Sequence, residues 1–238
     1  MTTTGDAAPG ELTATLVRRS SGDQAAVYIR RLIFDGHLRP GARVPQEQIA
    51  RTLGISRIPI REALIALERE GWVTIELHRG AFVNALDGRA VRDSYDLFGL
   101  VYGFAVRRAI ERGGDGLADR LATIDGAIEE ADDPDEIGRQ VVAFHAAVVD
   151  AARSPRIKVV LRSMSALIPG NFFELVPGAV ELERKGLATI VRAVARADAE
   201  KAADGYARMM RRQGELVVAL FEERGLFSPP AVDGTKGG

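Results

Sequence analysis

Cysteine is absent from all 238 residues, so the chain holds no disulfide, no thiolate metal ligand and no cysteine nucleophile. That fits a reducing compartment, and a cytoplasmic protein is expected. Histidine occurs three times, and no nucleophile–base pair stands out, which leaves an enzyme as a remote alternative. No apolar run approaches the ~20 residues of a membrane span, so no membrane partner is expected. The first twenty residues, MTTTGDAAPGELTATLVRRS, lack the apolar core of a signal peptide and read as a flexible leader. What remains is a chain with 46% apolar residues and a length that suits two ordinary domains.

Near-neutral charge is also unevenly distributed. Between Arg18 and Arg79 stand eleven arginines against seven acids, +4, which leaves −5 of the net −1 for the rest. The basic part holds the most informative stretch, PQEQIARTLGISRIPIREALIALEREGWVTIELHRGAFV from Pro45 to Val83. After a helix over about 23–36 and a Leu38-Arg39-Pro40-Gly41 turn, a short helix carrying Ile49, Ala50 and Leu53 stops at Gly54, where a left-handed turn needs no Cβ. Ser56 is the expected N-cap of a second helix, its hydroxyl accepting a first-turn N–H, and Pro59 sits where a missing N–H costs nothing. Ile60, Leu64 and Leu67 face inward on that helix, while Arg57 and Arg61 share another face. Val73, Ile75 and Leu77 then alternate with polar residues as a half-buried strand, and His78-Arg79-Gly80 turns into Ala81-Phe82-Val83. Helix, turn, helix and hairpin wing make a winged helix, a fold that reads the DNA major groove with its second helix.

These residues resemble the GntR family of bacterial transcription regulators. The family pattern stands here as Pro45, Glu47, Ala50, Leu53-Gly54, Ser56-Arg57, Pro59, Arg61-Glu62-Ala63-Leu64, Leu67, Glu70-Gly71 and Arg79-Gly80. The resemblance implies that Arg57 and Arg61 present guanidinium forks to base edges or phosphates, with Arg79 and Gly80 at the wing. Arg43, Gln46, Gln48, Arg51 and His78 are further candidates for phosphate or base contacts. Ser56 and Pro59 belong chiefly to cap and turn, with Ser56 also within reach of phosphate.

Over a second domain at 86–225 the periodicity is helical from about residue 88 to 224, with helices expected over about 88–112, 116–131, 134–152, 155–168, 179–197 and 199–224. The fold class is mainly α: a winged helix-turn-helix over 21–85, then an antiparallel bundle of about six to seven helices, and a flexible tail over 226–238. The bundle resembles the effector-binding (FCD-type) domain of the FadR branch of the GntR family, on Phe144-His145 and on Ile190, Ala193, Val194, Asp198 and Ala202. That likeness implies a homodimer, a near-palindromic double-stranded operator and a small-molecule effector.

Many members of the branch hold a divalent metal through an aspartate, the helix-borne histidine and two later histidines. Here only His145 stands; the other positions hold Val141, Leu187 and Met209, and only a gapped register would bring in Gln213. One imidazole does not hold zinc, so no metal and no cofactor is expected. The family's polar pair on the first bundle helix aligns with Leu100 and Phe104, next to Gly99 and Gly103. Leu100, Phe104, Val141, His145, Leu187 and Met209 are thus the expected effector-binding set, suited to a fatty acid or acyl-CoA. Apolar side chains at this spacing are equally what a packed core looks like. The alternative is a metal-dependent sensor of a hydroxy or dicarboxylic acid, which needs three ligands that are missing. The expected function is a dimeric transcription repressor released by its effector.

Overall fold

The computed structural model describes residues 20–113, 116–164, 167–168 and 171–227. The expected leader, apart from Ser20, and the tail beyond Phe227 lie outside them. Helix α1 (Ser21–Phe34) begins two residues earlier than its periodicity suggests. Ser20 and Asp23 form a capping box, Asp23 N donating to Ser20 Oγ at 3.0 Å and Ser20 N donating to Asp23 Oδ2 at 3.1 Å. Helix α2 (Gln46–Leu53) ends at Gly54, φ 64°, and α3 (Arg57–Arg69) follows. Strands β1 (Val73–Glu76) and β2 (Gly80–Val83) pair antiparallel from Val73↔Val83 to Glu76↔Gly80. The 41–44 stretch lies along the outer edge of β2, Val44 N donating to Ala81 O at 2.8 Å and Val83 N to Ala42 O at 2.9 Å. Ala25, Ile29, Ile33, Ile60, Leu64, Leu67, Trp72 and Val83 close a small core among these elements.

Two local expectations are corrected. Ser56 occupies the N-cap position, yet its side chain makes no capping hydrogen bond. The apolar alternation of β1 does not produce a half-buried strand: Val73 is buried, but Leu77 lies beyond the strand and is 83% exposed. A hairpin this short has no layer behind its tip.

The body consists of α4 (Gly88–Glu111), α5 (Leu117–Glu130), α6 (Pro134–Ala151), α7 (Pro155–Ser163), the single turn α8 (Phe172–Leu175), α9 (Ala179–Ala195) and α10 (Ala199–Glu223). Aspartates cap three of them, Asp87, Asp133 and Asp198 each accepting a first-turn N–H. Helix α7 is shorter than the expected 155–168: Ser163 turns its hydroxyl back onto Val160 O and Met164 leaves the helix. No helix of the described residues is long and apolar enough to cross a membrane.

Helices α4 and α10 meet at backbone distance. A Cβ at Gly99 would sit 3.0 Å from Ala207 Cα, and one at Gly103 would sit 3.2 Å from Ala203 O. Those glycines therefore buy close packing rather than a cavity. Beyond α10 the chain returns to the winged helix. Phe34 packs edge-on against Phe221, 6.0 Å between centroids, and the Arg224 guanidinium lies 4.0 Å above the Phe34 ring. Arg224 also reaches Asp35 at 3.3 Å, and Leu86 N donates to Leu226 O at 3.3 Å. Phe34, from α1, thereby belongs to the core of the body.

Gly99→Leu should destabilise the chain by about 1–3 kcal/mol, because the obstructing atoms are backbone. Gly126→Ala, on an exposed helical position with nothing within 4 Å of the added carbon, should stabilise by about 0.5–1 kcal/mol. Urea denaturation of both variants checks the pair.

Candidate functional site

The short helix, the start of α3 and the 43–45 stretch converge on one recess. It has a volume of about 580 Å³ and brings together Arg43, Gln46, Gln48, Arg51, Arg57 and Arg61, with Val44, Pro45 and Glu47 completing its wall. Four guanidinium groups face one carboxylate there. Arg57 pairs with Glu47, and Arg51 approaches the same carboxylate at 4.0 Å. Both arginines remain more than 60% exposed, so these pairs are screened and readily exchanged for another anion. Arg61 has no carboxylate partner among the described residues. The geometry is that of an open basic groove, not of cations consumed by intramolecular pairing.

Ser56 and Pro59 flank the recess at the entry to α3. The wing stands beside it. His78 takes a left-handed conformation, φ 62°, at the hairpin tip, and Gly80 follows with φ 109°. A Cβ at Gly80 would also meet Arg43 Nε at 2.9 Å, so the glycine lets the Arg43 guanidinium lie on the wing. Arg79 pairs with Glu76 and lies 5.4 Å from the Phe82 ring centre. Sequence reasoning passed over Ile58, 68% exposed between Arg57 and Pro59, and over Leu77 at the wing tip. Apolar groups held in water beside arginines are the detectable signal, and it requires the fold to be seen.

The expected effector set does not assemble as one lining. Val141, Leu187 and Met209 are buried in the body, with His145 mostly buried beside them, its side chain 13% exposed. Leu100 and Phe104 are corrected: they are 65% and 44% exposed and face away from the interior. Together with Ile157 and Val160 they line a shallow apolar groove of about 270 Å³ between α4 and α7. The inward face of α4 carries Tyr95, Gly99, Gly103 and Val106, so a count of large apolar side chains picks the wrong face of this helix.

The interior is more polar than expected. Glu183, 1% exposed, faces Gln213 across the α9–α10 seam, and the Gln213 amide donates to Glu183 Oε2. Glu183 Oε1 is buried with no hydrogen-bond partner. His145 Nε2 lies 3.6 Å from it, beyond hydrogen-bonding distance, while His145 Nδ1 meets the Tyr206 hydroxyl at 3.2 Å. Tyr102 stacks on both rings, at 4.6 Å from His145 and 5.4 Å from Tyr206. Burial pushes the Glu183 carboxyl up to about 8 and the His145 imidazole down to about 4, so both are held neutral near pH 7. Glu183 was missed in the sequence although the pattern contains it: it stands on the inward stripe of α9 four residues before Leu187, where an apolar residue belongs. Among the described residues no group of three or more metal-ligating side chains gathers.

The two shifts act on stability with opposite signs. For His145, depressed below the ordinary 6.5, folding gains stability as pH rises from about 4 to 6.5. For Glu183, raised above 4.5, the neutral form is favoured by folding, and stability is lost as pH rises from about 4.5 to 8. The two offset each other up to pH 6.5, and only the loss remains above it. From pH 6.5 to 8 wild type should lose on the order of 2 kcal/mol through this group, and Glu183→Gln should abolish that slope. Denaturant melts across that range measure it.

Comparison with known proteins bears on both parts. Residues 22–83 match the model of the bacterial regulatory proteins of the gntR family, and residues 93–212, half of the chain, match the FCD domain. An uncharacterized HTH-type transcriptional regulator of Mycobacterium tuberculosis, Rv0043c, is 32% identical over 63% of this chain, which spans 62% of the length of that relative. The gluconate operon transcriptional repressor of Bacillus subtilis is 27% identical over 71% of this chain and 70% of its own. The structure of E. coli McbR/YncC superposes with a TM-score of 0.58 at 19% identity, covering 87% of this chain and 99% of that one. Listeria monocytogenes Lar gives the same TM-score at 17% identity, over 85% and 99%. The chain belongs to the GntR family of bacterial regulators, with an FCD domain as its helical body.

Proposed function

We propose that the chain is a sequence-specific DNA-binding repressor that works as a homodimer, divided into a reading module over 21–85 and an effector-binding body over 86–225. The observation that carries it is the open recess where Arg43, Arg51, Arg57 and Arg61 converge beside the Arg79-Gly80 wing tip. Arg57 and Arg61 project from the first turns of α3, the end of a recognition helix that meets base edges. Gln46, Gln48, Ser56, His78 and Arg79 flank it with donors for phosphate oxygens. Ile58 offers an apolar surface to a thymine methyl. Glu47 is displaced from Arg57 when phosphate or guanine takes its place.

Two copies sharing a twofold axis read a near-palindromic operator. The exposed stripe Leu97, Leu100 and Phe104 on α4, with Val159 and Val160 on α7, supports a second copy as the partner of that face. The gluconate operon repressor among the relatives favours repression, and the FadR branch is supported by Phe144-His145 with Ile190, Ala193, Val194, Asp198 and Ala202. Effector binding acts by linkage. A ligand that prefers the DNA-incompetent arrangement 100-fold weakens operator binding by up to about 2.7 kcal/mol. Of the residues expected to hold an acyl chain, Leu100 and Phe104 face outward, and Val141, Leu187 and Met209 remain as buried apolar surface that suits a hydrocarbon chain whatever its head group.

Arg57→Ala and Arg61→Ala should each weaken binding to a duplex selected from a random pool by about 1–3 kcal/mol and relax its sequence preference, read by gel shift. Unchanged binding in both would remove the DNA-reading role. Leu100→Arg should shift sedimentation from dimer to monomer without loss of helical circular dichroism; an unchanged dimer would place the interface elsewhere.

A further inference from the structure

We propose that the interior of the helical body is a binding site for an organic cation, an alkylammonium or related amine, with Glu183 as its counter-ion and Tyr102 and Tyr206 as its aromatic wall. The inference rests on the reading of that body as an effector-binding domain. It starts from an oxygen without a partner: Glu183 Oε1 is buried among α4, α6, α9 and α10 and accepts no hydrogen bond, while its other oxygen takes the Gln213 amide. A buried carboxyl oxygen left unpaired costs about 1–3 kcal/mol, and a ligand N–H recovers it once the carboxyl has given up its proton.

Charge decides between a cation and an acid. The ionisable groups facing Glu183 are Tyr95 and Tyr102 on α4, His145 on α6 and Tyr206 on α10. None of these is a cation at pH 7, since burial holds His145 neutral, and no lysine or arginine among the described residues is buried. A carboxylate ligand would find no positive group, only a second acid. An ammonium would find the one latent negative charge, together with ring faces that attract cations. Phe98 extends the wall, stacking on Tyr102 at 6.4 Å. Val141, Leu187 and Met209 supply the apolar surface for a hydrocarbon chain. Met209 fills the seam over Gly186, one helical turn from the Glu183–Gln213 pair, and its unbranched, flexible side chain is the group that must swing aside to admit a hydrocarbon chain.

The carboxyl is neutral in the free protein, so binding a cation releases its proton, and affinity must rise with pH until the group is ionised without help. The test is calorimetric titration of the full chain with hexylammonium, hexanoate and 1-hexanol, at pH 6.5 and pH 8, in wild type and Glu183→Gln. Hexylammonium stays protonated throughout. It should bind wild type, about tenfold or more tightly at pH 8 than at 6.5, and lose at least tenfold in Glu183→Gln; hexanoate should give no binding. Binding of hexanoate at equal affinity, absence of hexylammonium binding, or hexylammonium affinity indifferent to both pH and Glu183→Gln overturns the proposal. Circular dichroism confirms the fold of the variant, and the wild-type pH dependence stands without it. Gel shifts on the same ligand-free preparations separate the two readings: intact DNA binding with no ammonium site sinks the ligand class alone, whereas lost DNA binding sinks the regulator.

Discussion

The α4–α10 contact is the constraint from which the rest of the body follows. Gly99 and Gly103 on one helix, against Ala203 and Ala207 on the other, bring two long helices to backbone contact. The same register continues around α10: Gly205 receives Ile190, Gly214 receives Tyr95, and Gly186 on α9 lies under Met209. Small residues at the seams leave no freedom for α10 to slide by fractions of a turn, because packed interfaces have discrete arrangements rather than a continuum. Helix α10 is thus a rigid rod. Its middle carries Tyr206, Met209 and Gln213 into the interior, and its end carries Phe221 and Arg224 to the winged helix.

That continuity gives the two modules a physical connection. The joint consists of one buried aromatic pair, a cation above a ring and an ion pair at a helix end. A cation over a desolvated ring contributes about 1–2 kcal/mol, and a half-exposed ion pair less. Such a joint is strong enough to set an orientation and weak enough to be altered by a ligand worth a few kcal/mol. Gln213, which holds Glu183 of α9, lies two to three turns from it along the same rod, so a change in their pairing is felt along α10 without a separate path.

Much of this was legible beforehand, for reasons that can be named. Gly54, the arginines at the start of α3 and the His78-Arg79-Gly80 turn obey local rules of backbone conformation and helix phase, and the structure draws Arg43, Arg51, Arg57 and Arg61 together as the phase requires. The helices of the body follow their caps, Asp87, Asp133 and Asp198 among them. What escaped was non-local. Leu100 and Phe104 look inward only if glycine is discounted as a packing residue, and here Gly99 and Gly103 are the inward face. Glu183 was missed because its partners, Gln213 and the Tyr102–Tyr206 wall, come from helices distant in sequence. The wing tip misled for the opposite reason: Leu77 obeys the strand period but stands where no second layer exists.

The rod joining interior and winged helix is most directly tested by hydrogen exchange in Arg224→Ala. Amides in the last turn of α1, Arg31 to Phe34, and in the last turn of α10, Leu220 to Glu223, should lose protection together while the middle of α4 keeps its own. Loss confined to α10, with α1 protected as in wild type, would show that the winged helix is held by something other than this joint.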